Sequence, residues 1–239
     1  MQNIFFISDV HLDYKNQTVI NKFISFLQSH SSDMKELYIL GDLFEYWVDD
    51  KQGLEEYSDI LNELKLISEN GTRIYFIHGN RDFLIGKIFP EFLNALILDD
   101  KYYLNIDGFE ILITHGDLLC TDDLSYQRFR KFIRSRFSIF LINILSYNLK
   151  MLVANFLRKK SKKIVSQKPE YIMDVNLDTV KKYFEINDLD IIIHGHTHRI
   201  NTHKVIVNNK TRYRYVLGDW HNTPSYLIYR DNTFSLKKI

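Results

Sequence analysis

A pattern found at five places most constrains this chain: a short apolar run with the character of a buried strand ends in side chains that can bind a metal ion. In residues 190–198, DIIIHGHTH, such a run leads into three histidines within five residues. The same arrangement is found at residues 5–11, 37–42, 74–82 and 111–117. Runs of β-branched and aromatic residues closed by Gly or small polar residues predict strands. We therefore expect these strand ends to converge on one site.

The side chains at these strand ends are carboxylates, imidazoles and one carboxamide. Such oxygen and nitrogen ligands suit Mn²⁺, Fe²⁺, Zn²⁺ or Mg²⁺ and not a metal that prefers thiolates. An isolated H-x-H pair is readily explained as a solvated polar turn, since short motifs match by chance. Because the pattern recurs along the chain, we interpret it as a site for two metal ions.

The order of elements in the first half of the chain indicates an α/β fold. Apolar residues at helical spacing predict amphipathic helices at residues 19–30 and 54–70. They separate predicted strands at residues 4–8, at residues 37–40 and from residue 73 onward. This alternation predicts a largely parallel sheet, whose ligands bind at the carboxyl ends of the strands.

The second half is expected to be mainly antiparallel. Residues 89–96 are predicted to be helical, and they are followed by hairpins at residues 102–114, 203–217 and 225–236. The turn residues of the first hairpin are Asp107 and Gly108, a pair that favours a tight two-residue turn.

Length and composition are those of one globular domain. The chain has 239 residues, 45% of them hydrophobic and 26% charged, so residues 1–239 are predicted to form a single domain. The one cysteine, Cys120, cannot form a disulfide within the chain, which fits the bacterial cytoplasm. No signal peptide is expected, and no apolar run approaches the ~18 residues of a membrane span.

Charge is distributed unevenly along the chain. Residues 124–168, called the basic segment below, contain twelve Lys or Arg and no Asp or Glu. Because the whole chain has a net charge of +1, the remainder carries −11. Such asymmetry is typical of a surface for an anionic partner, which could be a phosphate-rich ligand, a nucleic acid or an acidic lipid.

The basic segment also has helical periodicity. Large apolar residues recur three or four apart, with a break near Tyr147 and Asn148, and they predict two basic amphipathic helices. One interpretation is that the apolar stripes pack on the rest of the protein and the cations are solvated. The absence of acidic residues favours a second interpretation, in which the helices bind an amphiphilic ligand or a membrane surface.

In their order, the strand-end motifs resemble those of the calcineurin-like dinuclear metallophosphoesterases. They are D-x-H at residues 9–11, G-D at 41–42, G-N-R-D at 79–82, H-G-D at 115–117 and G-H-T-H at 195–198. The resemblance spans residues 5–221. It implies an α/β fold in which a β-sandwich of two sheets is flanked by helices on both outer faces.

Longer stretches accompany these motifs: GDLFEYW at residues 41–47, FIHGNRDFLIG at 76–86, HGDLLCTDD at 115–123, IMDVN at 172–176 and IHGHTHR at 193–199. They are similar to one branch of this family, the UDP-2,3-diacylglucosamine pyrophosphohydrolases of lipid A biosynthesis. The similarity implies a hydrolase that splits the pyrophosphate bond of UDP-2,3-diacylglucosamine into UMP and 2,3-diacylglucosamine 1-phosphate. It also implies that residues 124–168 form an inserted helical cap over the acyl chains, and that the protein lies peripherally on the cytoplasmic face of the inner membrane.

The resemblance assigns the metal ligands by motif position. Both ions are expected to be Mn²⁺, the metal that this branch favours. One ion would be held by Asp9, His11, Asp42 and His198. The second would be held by Asp42, Asn80, His115 and His196. Asp42 would bridge the two ions, because a carboxylate has two oxygens and offsets charges that repel across about 3.5–4 Å.

Catalysis is assigned in the same way to Asp42, Asn80, Arg81 and His115. A hydroxide activated by the two ions would attack the phosphorus attached to uridine. Arg81 occupies a position where many relatives have a His that protonates the leaving group. Its guanidinium stays protonated, so it would bind phosphate oxygens and favour a leaving group that needs no proton. An Arg at this position is also compatible with substrate binding in a diesterase.

Contacts with the glucosamine and phosphate groups are implied for a third set of residues. They are Asn80, Arg81, Asp123, Ser161, Lys168 and His196. Without the resemblance, Ser161 and Lys168 are more simply explained as solvated residues of a basic surface. Val165 departs from the branch, which tends to have a small polar side chain there.

Two other functions remain open from the sequence. The first is a metal-dependent phosphodiesterase or nuclease, with the basic segment bound to nucleic acid phosphates. The aromatic residues of the segment fall on apolar stripes instead of forming exposed stacking platforms, which makes nucleic acid the less favoured partner. The second is a binding module that keeps the fold without catalysis, which is disfavoured because every expected ligand is present.

Overall fold

The computed structural model describes residues 3–165 and 167–239. Within that part, two β-sheets pack face to face and helices cover their outer faces. The strands are β1 (Ile4–Ile7), β2 (Glu36–Ile39), β3 (Arg73–Ile77), β4 (Leu96–Leu98), β5 (Lys101–Ile106), β6 (Phe109–Thr114), β7 (Ile191–His194), β8 (Asn201–Val207), β9 (Lys210–Val216), β10 (Ser225–Arg230) and β11 (Thr233–Lys238). The helices are α1 (Gln17–His30), α2 (Asp50–Glu56), α3 (Ser58–Glu69), α4 (Ile88–Leu93), α5 (Leu124–Ile133), α6 (Arg136–Asn143), α7 (Tyr147–Val165) and α8 (Leu177–Asn187).

The first sheet has the order β11-β10-β1-β2-β3-β4. Strands β1 to β4 are parallel, as the alternation of strands and helices predicts, and β10 joins β1 in antiparallel pairing. The second sheet has the order β5-β6-β7-β9-β8. Its two hairpins are antiparallel as expected, but β6, β7 and β9 pair in parallel. The prediction of a mainly antiparallel second half was therefore wrong for these central strands, because hairpin signals say nothing about which hairpins lie side by side.

Alternation along the central strands builds the core between the layers. In β1, Ile4 and Phe6 point toward the second sheet, whereas Phe5 and Ile7 belong to the cluster beneath α1 and α3. This is the two-residue period expected of a strand that is buried on both faces. On the far side, Ile192 of β7 packs in a cluster with residues of α8. The predicted sandwich with helices on both outer faces is confirmed.

Two of the predicted helices differ in their bounds from what their periodicity suggests. The segment at residues 54–70 is divided at Tyr57 into α2 and α3, and α2 begins at Asp50 after Asp49, whose side chain accepts a hydrogen bond from the Lys51 N–H. Tyr57 is buried against Phe44 and Trp47, so tertiary packing interrupts the helix. The segment at residues 89–96 is helical only to Leu93, because Asn94 has a left-handed backbone and the chain continues into β4.

In the part of the basic segment that the structure describes, residues 124–165 and 167–168, there are three helices and not the predicted two. Helix α5 ends at Ile133, and Ser135 then starts α6 by accepting a hydrogen bond from the Ser138 N–H. Helix α7 begins at Tyr147, where the break in periodicity was predicted. A serine N-cap in the middle of an apolar stripe leaves the spacing of the stripe nearly unchanged, so periodicity alone did not reveal this break.

Candidate metal centre

The carboxyl ends of β1, β2, β3, β6 and β7 meet at one edge of the sandwich, and each is followed by predicted ligands. Five of these ligands have a left-handed backbone, with φ values between 51° and 67°. They are Asp9, His11, Asp42, His196 and His198. Among the described residues, every other non-glycine residue with positive φ is an Asn or Asp. A left-handed His costs about 1 kcal/mol, so its presence here marks a functional constraint.

Two glycines allow the loops after β2 and β3 to approach each other. Gly41 has φ 86°, and a Cβ atom there would lie 2.5 Å from the Gly79 nitrogen. A Cβ atom on Gly79 would lie 2.2 Å from the Asp42 nitrogen. Because neither glycine has a Cβ atom, the two loops can lie close enough to bring Asp42 and Asn80 into the same site.

The first group of ligand atoms comes from the loops after β1 and β7. His11 Nε2 lies 3.3 Å from His198 Nε2 and 3.9 Å from Asp9 Oδ1, and the latter oxygen is 3.4 Å from His198 Nε2. Atoms that bind one ion at about 2.0–2.2 Å are themselves about 3–4 Å apart. The geometry of this group is therefore that of donors around a single cation.

The second group joins the loops after β3, β6 and β7. Asn80 Oδ1 lies 3.0 Å from His115 Nε2 and 3.1 Å from His196 Nδ1, and these two nitrogens are 3.3 Å apart. Asp42 lies between the two groups, with Oδ2 4.0 Å from His11 Nε2 and 3.8 Å from His115 Nε2. A single carboxylate thus faces both groups, which is the position predicted for the bridging ligand.

The hydrogen bonds of the buried ligands leave specific atoms available for metal ions. Asp9 is buried and accepts hydrogen bonds at Oδ2 from the Ser8 hydroxyl (2.6 Å) and the His196 N–H (2.8 Å), whereas Oδ1 has no hydrogen-bond partner. His115 Nδ1 lies 2.8 Å from the Leu40 carbonyl, which leaves Nε2 as the nitrogen that faces the site. This arrangement is the one that holds a metal-binding imidazole in the correct tautomer.

Electrostatics within the cluster also suit a cation. Burial, together with the neighbouring His115, lowers the pKa of His196 to about 4, and burial holds the pKa of His11 well below its usual range. Both rings are therefore neutral at pH 7 and keep a lone pair for a metal. Burial raises the pKa of Asp42, and the adjacent Asp9 carboxylate raises it further. Carboxylates crowded in this way are stabilised by positive charge, so the donor set fits divalent metal ions.

Arg81 lies beside the centre, and it is joined there by Glu45, which the sequence interpretation missed. The backbone N–H of Arg81 donates to Asp42 Oδ1 (2.8 Å), and its Nη1 lies 2.5 Å from Glu45 Oε1. Glu45 is buried, its Oε2 is 3.5 Å from His11 Nδ1, and it also contacts the Arg158 guanidinium. One carboxylate thus orients a predicted metal ligand and two arginines. Its only signal in the sequence is its place in the GDLFEYW stretch.

Asp219 is a second residue that was missed. Its Oδ2 lies 3.9 Å from His198 Nδ1, and its Oδ1 accepts hydrogen bonds from the His221 and Asn222 N–H groups. Gly218 and Asp219 follow the apolar end of β9, in the same arrangement as Gly41 and Asp42 after β2. The repeated pattern could therefore have identified it.

Three predicted substrate-binding residues, Asp123, Ser161 and Lys168, lie in or next to the basic segment. Asp123 caps α5 by accepting a hydrogen bond from the Tyr126 N–H, and its other oxygen lies 2.5 Å from Lys168 Nζ. Ser161 is exposed on α7, one turn beyond Arg158, whose guanidinium reaches Glu45. The Val165 side chain lies outside what the structure describes.

Most large apolar side chains of the basic segment are exposed. Phe132, Phe137 and Phe140 are each exposed by more than 60%. Others exposed in the same segment are Leu124, Phe129, Leu141, Ile144, Leu149, Leu152, Val153, Phe156 and Ile164. The interpretation in which the stripes pack on the rest of the protein was therefore wrong. The contacts of the segment with the remainder of the chain include ion pairs, such as Lys150 with Asp49 at 2.7 Å.

Comparison with known proteins agrees with this geometry. The family model described as calcineurin-like phosphoesterase matches residues 2–199. The chain belongs to the calcineurin-like phosphoesterase family. Like other members, it is a metal-dependent hydrolase, and the predicted family is confirmed.

Several relatives carry the name UDP-2,3-diacylglucosamine hydrolase. The protein from Aliivibrio fischeri is 37% identical over 235 residues, 98% of this chain and 98% of that protein. Those from Photorhabdus laumondii and Yersinia pseudotuberculosis are 39% identical (97% and 96% of the two chains) and 41% identical (90% of each). An archaeal phosphodiesterase of known structure, 13% identical and aligned over the whole of both chains, has a TM-score of 0.53 and supports the fold alone.

Within residues 3–165 and 167–239, none of the helices has the length and apolar character needed to cross a bilayer.

Proposed function

We propose that this protein hydrolyses the pyrophosphate bond of UDP-2,3-diacylglucosamine to UMP and 2,3-diacylglucosamine 1-phosphate. The observation that carries the proposal is the combination of a largely buried cluster of metal-binding groups with a basic helical segment most of whose large apolar side chains are exposed. Relatives that match nearly the whole chain at 37–41% identity are named for action on this substrate. Metal ions held by the cluster would bind the diphosphate of this substrate, and the exposed apolar side chains of the basic segment would bind its acyl chains.

The two groups of ligand atoms would hold one divalent ion each, with Asp42 shared between them. Ions at these positions supply Lewis-acid chemistry, since they acidify water and offset the charge of phosphate oxygens. Mn²⁺ is our choice, because a site of imidazoles, carboxylates and one carboxamide suits a borderline metal that also accepts oxygen ligands. The protein's own contribution is to hold the donors in place before the substrate arrives.

Arg81 would bind the diphosphate. Its side chain is 31% exposed and forms an ion pair with Glu45. Its backbone N–H donates a hydrogen bond to Asp42. A guanidinium cannot act as a general acid, but it can bind two phosphate oxygens at once. The leaving group, 2,3-diacylglucosamine 1-phosphate, is a phosphate monoester with a second pKa of about 6, so it departs without needing a proton. An arginine at this position is therefore suited to breaking a pyrophosphate.

The basic segment would bind the lipid part of the substrate as a helical cap over the metal centre. Its exposed phenylalanines and leucines match acyl chains, and its cations match the phosphates between the chains and uridine. Lys168 and Asp123 form an ion pair close to the two ends of the segment, and we propose that this pair and Ser161 contact the glucosamine phosphate. Asn80 and His196 would contact the substrate from the side of the metal centre.

The same surface would place the protein on the cytoplasmic face of the bacterial inner membrane as a peripheral protein. Exposed aromatic side chains and an excess of Lys and Arg are the two features that bind helices to anionic bilayers. The substrate is an amphiphile, so binding at a bilayer surface would also bring enzyme and substrate together.

The test is release of UMP from UDP-2,3-diacylglucosamine in mixed micelles at neutral pH, measured with Mn²⁺ and with chelator. We expect release with Mn²⁺ and none with chelator. No release from the lipid, together with Mn²⁺-dependent cleavage of a generic phosphodiester or single-stranded DNA, would replace the proposal with a phosphodiesterase or nuclease. No cleavage of any of these substrates would favour a binding module.

A further inference from the structure

The end of helix α5 contacts the loops of the metal centre through two arginines: Arg130 in its last turn and Arg134, the residue that caps its end. Both side chains are nearly buried, 10% and 13% exposed. Arg130 Nη2 lies 2.8 Å from Asp100 Oδ2 and its Nε donates to Asp117 Oδ2 at 2.5 Å. Arg134 Nη1 donates to Asp100 Oδ1 at 2.9 Å. Arg134 Nη2 also lies 3.9 Å from Asp117 Oδ2, so the two arginines share both carboxylates.

Arg134 has a further partner, a backbone carbonyl. Its Nη2 donates to the Gly79 oxygen at 2.6 Å, while the Gly79 N–H donates to Asp82 Oδ1 at 2.8 Å. The Gly79 carbonyl belongs to the peptide plane that leads into Asn80. Because a peptide is planar, holding its oxygen fixes the orientation in which Asn80 starts. Glycine has no side chain to restrain this peptide, so the restraint has to come from outside.

We propose that Arg134 is a positioning residue for the metal centre: by holding the Gly79 carbonyl, it directs the Asn80 side-chain oxygen toward His115 and His196. The inference rests on the proposed role of Asn80 as a metal ligand. A lysine is a poor substitute, because the planar guanidinium serves Asp100 and Gly79 with different nitrogens in fixed directions. The guanidinium also lies over the Phe83 ring, 5.5 Å from its centroid.

The test is a titration of the metal-free protein with Mn²⁺. Binding is monitored by calorimetry and by the electron paramagnetic resonance signal of free Mn²⁺. We expect two ions to bind the wild type and Arg134→Gln to bind one of them about 10-fold or more weakly, as is typical when a group that orients a ligand is removed. Arg134→Lys should give an intermediate loss. The ion held by Asp9, His11 and His198 should bind with unchanged affinity.

Asp100→Asn is the matched control. It removes one of the two charges opposite the arginines and leaves Asp117 and the Gly79 carbonyl as partners of Arg134. It therefore shares the loss of an ion pair with Arg134→Gln but keeps the group that contacts Gly79. Wild-type binding of both ions by Asp100→Asn, beside weak binding by Arg134→Gln, supports the proposal. Equal weakening in the two variants, or none in either, overturns it. If Arg134→Gln does not fold, Arg134→Lys takes its place, and wild-type affinity in that variant overturns the proposal.

The titration uses no substrate, so its result is separate from that of the proposed function. Weak binding in Arg134→Gln without UMP release by the wild type would leave the positioning role intact and remove the substrate assignment. UMP release by the wild type, together with unchanged Mn²⁺ affinity in Arg134→Gln, would support the substrate assignment and overturn the positioning role.

Discussion

Four ligands of the metal centre, Asp9, His11, Asp42 and His115, are buried, and the other three are partly buried. In the basic segment, by contrast, most large apolar side chains are exposed, and ion pairs join the segment to the rest of the chain. At the centre, Asp9 and His11 occupy left-handed conformations at a strand end and are almost inaccessible to solvent. In the basic segment, Phe137 and Phe140 are more than 60% exposed. A site that must place donors to within a fraction of an ångström needs the first design, and a surface that accepts flexible acyl chains suits the second. Substitutions in the metal centre should therefore reduce catalysis most, and substitutions in the basic segment should mainly weaken binding to lipid.

Asp42→Asn should reduce kcat by at least about 10³-fold. The substitution keeps the size of the side chain but removes the negative charge between the two groups of donors, and metal-ion catalysis is worth several kcal/mol. UMP release at saturating Mn²⁺ measures the effect, with Asp59→Asn, an exposed position on α3, as the control. Turnover within 10-fold of the wild type would show that Asp42 is not the shared ligand.

Arg81→Ala should reduce kcat by about 10²-fold while two Mn²⁺ ions still bind. Loss of one preorganised donor to transition-state charge typically has an effect of this size. Arg81→Lys is the comparison variant, because it keeps the positive charge but loses the planar guanidinium that can donate two parallel hydrogen bonds. Its kcat should lie between those of Arg81→Ala and the wild type. The proposed phosphate-binding role would be wrong if calorimetry showed that Arg81→Ala binds fewer ions.

Glu45→Gln should reduce kcat/KM by about 10-fold, since the residue orients His11, Arg81 and Arg158 without being placed as a metal ligand. Measuring kcat and KM separately sharpens the comparison. A loss in kcat indicates that the metal centre and Arg81 are disturbed, and a rise in KM indicates that Arg158 and the basic segment are disturbed. No change in either would remove Glu45 from the site.

The double variant Phe137→Ser, Phe140→Ser should weaken binding to vesicles of anionic phospholipid by about 10-fold, because two exposed apolar side chains no longer enter the bilayer. Its free energy of unfolding should stay within about 1 kcal/mol of the wild type, since these side chains are mostly exposed in the folded protein. Leu66→Ser is the control, as Leu66 is 51% exposed on α3, outside the basic segment. Equal losses of vesicle binding in both proteins would argue against a membrane role for the segment.

The two regions also differ in how much the sequence could predict. The ends of strands can be predicted from local sequence. An apolar run followed by Gly and a residue that can bind a metal predicts both a strand and a ligand at its end. The seven predicted ligands therefore come together in the structure in two groups around Asp42. Glu45 and Asp219 were missed because each acts through another side chain, and the partner of a buried carboxylate is set by tertiary packing.

In the basic segment, periodicity predicted helices but neither their number nor the side on which their stripes lie. An apolar stripe has the same spacing whether it packs on a core or is kept for a ligand. The pairing of Lys168 with Asp123 and of Arg134 with Gly79 depends on where the helices dock, and no local pattern encodes that position.

The most direct test of this division of labour compares the wild-type kcat/KM for UDP-2,3-diacylglucosamine with that for UDP-glucosamine, which lacks the acyl chains, at saturating Mn²⁺. If the metal centre performs the hydrolysis and the basic segment recognises the lipid, the acylated substrate should be preferred by about 10²-fold or more, as expected for burying several methylene groups. Equal values for the two substrates would contradict the account.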